Sequence, residues 1–173
     1  SALWLKEARG EHVSEIENYN IKSLVFRSNR PFHPERFAQW CEKDWPGLVR
    51  AKGFFWLATR WESIGELSQA GQLLNLSPAG SWWGEISKDE WPEEVLEQAE
   101  CEGWSEPYVD RRQEMVLIGV GLNELEMRTA LEFCLLTEDE MTAGPLIWKH
   151  LPDPFPEWEL EELETEDMEP ELV

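Results

Sequence analysis

The chain has 173 residues, 42% of them hydrophobic and 29% charged, which is the size and composition of one folded domain rather than a disordered segment. Its formal net charge of −21 repels phosphate backbones and anionic headgroups, so nucleic acid and membrane surfaces are excluded as expected partners. No apolar stretch approaches the roughly 20 residues that span a bilayer, and Cys41, Cys101 and Cys134 form no CxxC pair, so a reducing, cytoplasmic setting is expected.

Residues 1–20 are polar and mixed and read as a short helix or a linker; the opening Ser1-Ala2, without Met or a signal-peptide pattern, reads as a chain cut from something longer. Ile21 to Arg27 is β-rich and predicts a strand. In the following RPFHPERFAQWCEKDW, Pro34 suits a first helical position, which puts His33 at the N-cap and gives Phe32 and Phe37 the spacing of a hydrophobic staple. Phe37, Trp40, Cys41 and Trp45 fall near one face of that helix. Gly53 to Thr59 predicts a short buried strand, and Glu66 to Leu76 a second, with Gly71 as a bulge and Ser77 to Gly80 as a turn.

Ser87 to Gln98 predicts a helix with Pro92 in its first turn. Val109 to Val120 predicts a strand with a polar entry. Asn123 then caps a helix on which Met127, Ala130, Leu131 and Cys134 follow the 3.6 period, and Thr137 caps a shorter one. The proline-rich LPDPFPEWE is expected to be extended, and Glu159 to Val173, dense in carboxylates with no Lys or Arg, to be a frayed tail. The order strand, helix, strand, strand, helix, strand, helix predicts an α+β fold. Its expected form is a ferredoxin-like split βαβ, a four-stranded antiparallel sheet with helices on one face and the other face partly open.

Few residues carry chemistry by themselves. His33 at a helix N-terminus is held towards its neutral form, in which imidazole can ligate metal; with no second ligand adjacent in sequence, a capping or packing role is the favoured reading. A zinc site joining His33 and Cys41 would have to span two helical turns and find further ligands. His12 and His150 are isolated. Arg111 and Arg112 suit either a contact with an anionic partner or salt bridges within an acidic domain. Phe54 and Trp56, on one face of a strand, and the Trp82-Trp83 step suit either core or a docking surface. Gly119-Val120-Gly121 lacks the third glycine of a dinucleotide fingerprint and reads as a turn. No Ser-His-Asp or Cys-His ordering marks a nucleophilic site.

Several segments together resemble the CobW C-terminal domain family: RPFHPERF at 31–38, KGFFWLATR at 52–60, SQAG at 68–71, WW at 82–83, WSEPYVDRRQEMVLIG at 104–119, CLLTEDEM at 134–141 and LPDPFPEWE at 151–159. The resemblance implies a domain over 21–158, preceded at 1–20 by a linker or the end of a GTPase domain and followed at 159–173 by the acidic tail. It implies an accessory module of a GTP-dependent chaperone for zinc or cobalt, with a client metalloprotein and the N-terminal GTPase domain of the same parent as partners. GTP and magnesium would then belong to the missing half. This chain has no GxxxxGK[ST], CxCC or NKxD segment, so no catalytic residue and no nucleotide site are expected in it, and zinc is the one cofactor left open. Two other readings stand beside it: a self-contained ferredoxin-like binding or dimerisation module, and an independent zinc-binding protein.

Overall fold

A computed structural model describes residues 20–159. The expected linker at 1–19 and the acidic tail beyond Glu159 lie outside the described residues. Five strands, β1 (Ile21–Ser28), β2 (Leu48–Phe55), β3 (Ser63–Ala70), β4 (Leu73–Ser81) and β5 (Gln113–Val120), form one sheet in the order β1-β5-β2-β3-β4. Every neighbouring pair is antiparallel. β1 and β2 are therefore parallel to each other, with β5 inserted between them and α1 (Pro34–Glu42) as their crossover. The α+β class of the sequence reading is present; β1 and β2 are split by the last strand, β5, rather than by the third as a ferredoxin-like order requires, so that expected form is not reproduced.

The strand count is corrected from four to five. Residues 66–76 are not one bulged strand but a hairpin. Ala70 pairs with Leu73, and the chain reverses through Gly71 and Gln72. Gly71 takes φ +61, the left-handed geometry that a tight two-residue hairpin asks of its first central position. The expected turn at Ser77 to Gly80 belongs instead to β4. Pro78 is tolerated there because β4 is an edge strand with one side free of ladder bonds.

The predicted helix over 87–98 is also broken. Proline disfavours helical geometry in the residue before it, and Trp91 is extended at φ −71, ψ 133. A 3₁₀ turn (Lys88–Glu90) therefore precedes α2 (Glu93–Glu102), which Gly103 ends in a left-handed C-cap. α3 (Glu124–Cys134) is capped by the Asn123 side chain, and α4 (Glu138–Ala143) by a capping box between Thr137 and Glu140. α5 (Pro145–Trp148) follows α4 directly.

Strand alternation chooses the buried face. Leu24, Phe26, Ala51, Phe55, Leu67, Met115 and Leu117 all face one side, where they pack with Phe37 and Trp40 of α1 and Met127, Leu131 and Cys134 of α3. A one-residue slip of β5 would carry Met115 and Leu117 off this face, so burial holds the register. Phe32 is the keystone. Its backbone bridges the chain after β2 and the chain after α3, and its ring stacks on Phe37 at 4.5 Å. The extended segment after α5 closes the same face, with Phe155 against Phe37 and Trp158 edge-on to Phe55. Arg60 clamps that segment: its guanidinium bonds Asp153 at 3.0 and 3.1 Å and lies 4.3 Å from the Trp158 ring centre. A second cluster of Trp56, Ala58, Trp82, Leu136 and Trp148 sits beyond the end of β2.

Candidate functional site

The opposite sheet face is left open among the described residues. Cross-strand pairing sets out its rows: Ser23, Ile118, Arg50 and Ala70; then Val25, Val116, Lys52, Ser68 and Asn75; then Arg27, Glu114, Phe54, Glu66 and Ser77. Val116, in the middle, is buried beneath its neighbours, while Phe54 is 42% exposed and Val120, at the end of β5, is 50% exposed. The face is thus an apolar centre of Val25, Val116, Ile118 and Phe54 beside Arg50 and Lys52. Neither of those cations has an ion-pair partner among the described residues, although the chain carries 36 acidic side chains. Arg27 and Arg112 share one carboxylate, Glu114, at 3.0 Å each.

The sequence reading named Phe54 on this face but missed Arg50, Lys52, Val25 and Ile118. Period-two alternation from Phe54 back through Lys52 to Arg50 would have found the two cations. The strand was instead placed at 53–59, because the apolar run GFFWLAT dominates the pattern. β2 ends at Phe55; Trp56 and Leu57 leave the sheet to bridge Phe32, and the chain turns at Ala58 and Thr59.

That turn decides the fate of the other aromatics. Trp56 is 0% and Trp82 2% exposed, both inside the second cluster, so neither offers a docking surface. Trp83 is half-buried at the start of a 3₁₀ turn (Trp83–Glu85). Arg111 is 2% exposed. Its guanidinium bonds the carbonyls of Trp61 and Tyr108, pairs with Glu85, and lies 4.1 Å from the Trp61 ring centre. Burial lowers its pKa, and Glu85 and Asp110 oppose that shift. The two arginines are not on a strand, since β5 starts at Gln113; Arg112 is half-exposed on Glu114.

Sequence reasoning missed what surrounds Arg111. Asp110 accepts the amides of Trp83 and Gly84, both at 2.9 Å, and so serves the 3₁₀ turn as a cap. Gln113, fully buried, accepts the Trp56 amide at 2.9 Å and donates to the carbonyls of Trp56 and Arg30 at 2.8 and 3.1 Å. The segment YVDRRQEM is thus a set of polar cross-braces between the two clusters.

His33 stands where the sequence put it. Its Nδ1 accepts the Glu35 amide at 3.2 Å, and its Nε2 lies 4.0 Å from Glu140. Burial, then the Arg36 charge, lowers its pKa, with Glu140 and Glu35 opposing, so the neutral form is favoured. One ring nitrogen is committed to the cap. Cys41 is half-buried, and burial raises its thiol pKa far above the ordinary range. Cys134 is buried and pushed up to about 12, its sulfur donating to the carbonyls of Arg36 and Ala130. Thiols held protonated are poor metal ligands. No group of three or more His, Cys, Asp or Glu able to hold a metal ion occurs among the described residues.

Residues 21–135 match the family described as "Cobalamin synthesis protein cobW C-terminal domain". The chain is 40% identical over 156 residues to "Zinc-regulated GTPase metalloprotein activator 1" of Dictyostelium discoideum, covering 88% of this chain and 33% of that protein. It is 33% identical over 140 residues to "Zinc chaperone Rv0106" of Mycobacterium tuberculosis, covering 80% of this chain and 35% of that one. Among solved structures, the Zn(II)-bound YjiA GTPase from E. coli is similar over 73% of this chain and 33% of its own, with TM-score 0.48 and 18% identity. The chain thus spans about a third of the length of the curated relatives it matches. With residues 21–135 matched along its sheet and first helices, the chain belongs to the CobW C-terminal domain family.

Proposed function

We propose that this domain is the accessory module of a GTP-driven zinc chaperone, and that its open sheet face is where the GTPase domain of the same parent packs. Three observations support the reading: family membership, relatives between two and three times as long, and a face left open among the described residues that sets an apolar centre beside Arg50 and Lys52, which have no ion-pair partner among those residues. The last of these carries it. An apolar strip flanked by cations that have no carboxylate partner among the described residues suits a partner with an apolar patch and carboxylates around it. Phe54 lies at the centre of that contact and Arg112 at its rim, with Trp83 as a more distant candidate.

In this reading zinc, GTP and magnesium belong to the GTPase half, and the domain couples nucleotide state to recognition of a client metalloprotein through a changing interdomain contact. The domain itself contributes no catalytic group. The test is a Phe54→Glu, Lys52→Glu variant of the full-length parent, followed by interdomain cross-linking and by zinc transfer to a client under GTP turnover. Loss of the cross-links with GTP hydrolysis retained is expected; unchanged cross-links and unchanged transfer would remove the proposal. Sedimentation of the 173-residue chain separates the dimerisation reading, since self-association through this face would appear without any GTPase domain. Zinc titration of wild type against His33→Ala separates the independent zinc protein, which requires stoichiometric zinc lost in the variant.

A further inference from the structure

The concave surfaces of the described residues differ in charge. The groove between α1 and α3 sets Arg36 and Lys43 against Glu42 and Glu126, and the cleft beside Trp45 sets Lys43 against Asp44. The hollow beneath α2 sets Lys88 against Glu85, Glu100 and Glu106. A further pocket of about 470 Å³, between the end of β1 and the C-terminal half of α3, departs from this balance. Arg27, Arg30, Arg36 and Arg128 line it, with Glu132 as the one carboxylate. Four of the chain's 15 basic residues thus line a single small site with one carboxylate, while Glu114, Glu138 and Glu140 pair with three of them from outside its walls.

The guanidiniums are oriented more than they are neutralised. Arg30 donates to the Leu136 carbonyl at 3.2 Å, and its other arm is 3.6 Å from Glu138, whose side chain is 89% exposed. Arg128 has one long bond, 3.5 Å to the Val25 carbonyl. Arg27 shares Glu114 with Arg112, two cations on one carboxylate. Arg36 is paired with Glu140, yet its Nε is a buried donor with no partner. A guanidinium has five N–H donors, and a carbonyl holds it in place without cancelling its charge. Among the described residues, free forks therefore remain on Arg30 and Arg128 beside a volume walled on its inner side by Phe26 and Leu136, while the Arg27 guanidinium is turned to Glu114 on the open sheet face.

We propose that this pocket binds a phosphate-bearing ligand, with Arg30 and Arg128 as its principal forks. Several guanidiniums around one small volume suit a compact dianion with three free oxygens better than the single charges of carboxylates spread along a peptide. The acidic surface elsewhere does not forbid this, because its field is screened within about 8 Å at physiological salt while the pocket's own charges lie at contact. The ligand is either a free phosphate or the phosphate end of a nucleotide. The proposal stands apart from the accessory-domain reading, since it needs neither the GTPase half nor the open sheet face.

The experiment is calorimetric titration of the 173-residue chain, in metal-free buffer, with inorganic pyrophosphate and with GDP. Saturable one-to-one binding with Kd below ~1 mM is expected for at least one. The Arg30→Gln, Arg128→Gln double variant should weaken it at least about tenfold, the loss of roughly one charged hydrogen bond or more. Arg128→Gln alone, at an exposed position, should weaken it about threefold or more without touching the fold. Arg50→Gln, on the open sheet face, should leave it unchanged. Tighter binding of GDP than of pyrophosphate assigns the ligand to a nucleotide, and the reverse assigns it to free phosphate; both support the site. No saturable binding to wild type, an equal loss in Arg50→Gln, or an acidic peptide bound as tightly as pyrophosphate would overturn it.

Discussion

Arg36 on α1 grips Glu140 on α4 with both arms of its guanidinium, at 2.6 and 3.3 Å. The same carboxylate accepts the Thr137 amide at 2.9 Å, and the Glu140 carbonyl accepts the Trp148 indole N–H at 2.6 Å. One residue thus ties α1, the capping box of α4 and the second aromatic cluster together.

That arrangement predicts an acid transition. Burial alone would raise the Glu140 pKa, but hydrogen bonds from Arg36 and Thr137 and the Arg36 charge hold it at about 2, against an ordinary 4.5. The folded value lies below the unfolded one, so the stabilisation is complete above about pH 4.5 and disappears as pH falls towards 2. Glu140→Gln should cost about 1–3 kcal/mol at pH 7 and much less at pH 2.5. Urea midpoints of both proteins across this range check it; a difference that stays constant with pH refutes the assignment.

Gln113 bonds three backbone groups, the amide and carbonyl of buried Trp56 and the carbonyl of half-buried Arg30. Gln113→Ala strands the Trp56 amide and leaves the Trp56 carbonyl to the Phe32 amide alone, and should destabilise the domain by about 2 kcal/mol, whereas Arg112→Ala, one residue away on a half-exposed ion pair, should cost about 0–1 kcal/mol. Similar losses for both would contradict the bracing role.

Gly65 lies directly under the Phe55 ring, where an added Cβ would overlap three ring carbons. Phe55 is 0% exposed and cannot swing aside. Gly65→Ala should therefore cost about 1–3 kcal/mol by overpacking, while Gly80→Ala, with open space around it, is limited to the strain of its φ of +102. Thermal unfolding of Gly65→Ala with and without Phe55→Leu tests the clash, since the smaller side chain should relieve it.

Asp153 receives Arg60 and the Thr59 hydroxyl and holds the strap that carries Phe155 and Trp158 over the core. Asp153→Ala should loosen the strap, red-shift tryptophan emission and expose Phe37 and Phe55 to a hydrophobic dye. A spectrum and dye response identical to wild type would show that the aromatic contacts hold it alone.

The three cysteines should separate in reactivity with a thiol reagent. Cys101 is exposed; Cys41 and Cys134 are shielded, and burial raises both thiol pKa values. One fast and two slow modifications per chain are expected in the native state, becoming three fast ones in denaturant.

Local chemistry was enough to read three helix starts, though not that of α2, which begins at Glu93 rather than after Ser87. His33, Asn123 and Thr137 each cap the helix expected of them, because a capping side chain bonds amides two or three residues away and needs no distant partner. The α+β class followed from the strand and helix patterns along the chain, which are also local. The family too was legible, since short motifs keep their order along the chain whatever they touch.

Which residues face solvent was decided by tertiary structure. Trp56 and Phe54 share a face in an ideal strand, yet β2 ends between them, so Trp56 turns into a second core and Phe54 stays outside. Gly71 suits a bulge or a hairpin equally well by itself; only the pairing of Ala70 with Leu73 selects the hairpin and adds the fifth strand. Arg27, Arg30, Arg36 and Arg128 are spread over a hundred residues and become one pocket because β1, α1 and α3 converge there. Capping and turn preferences act over a few residues, whereas burial and charge depend on what the rest of the chain brings alongside.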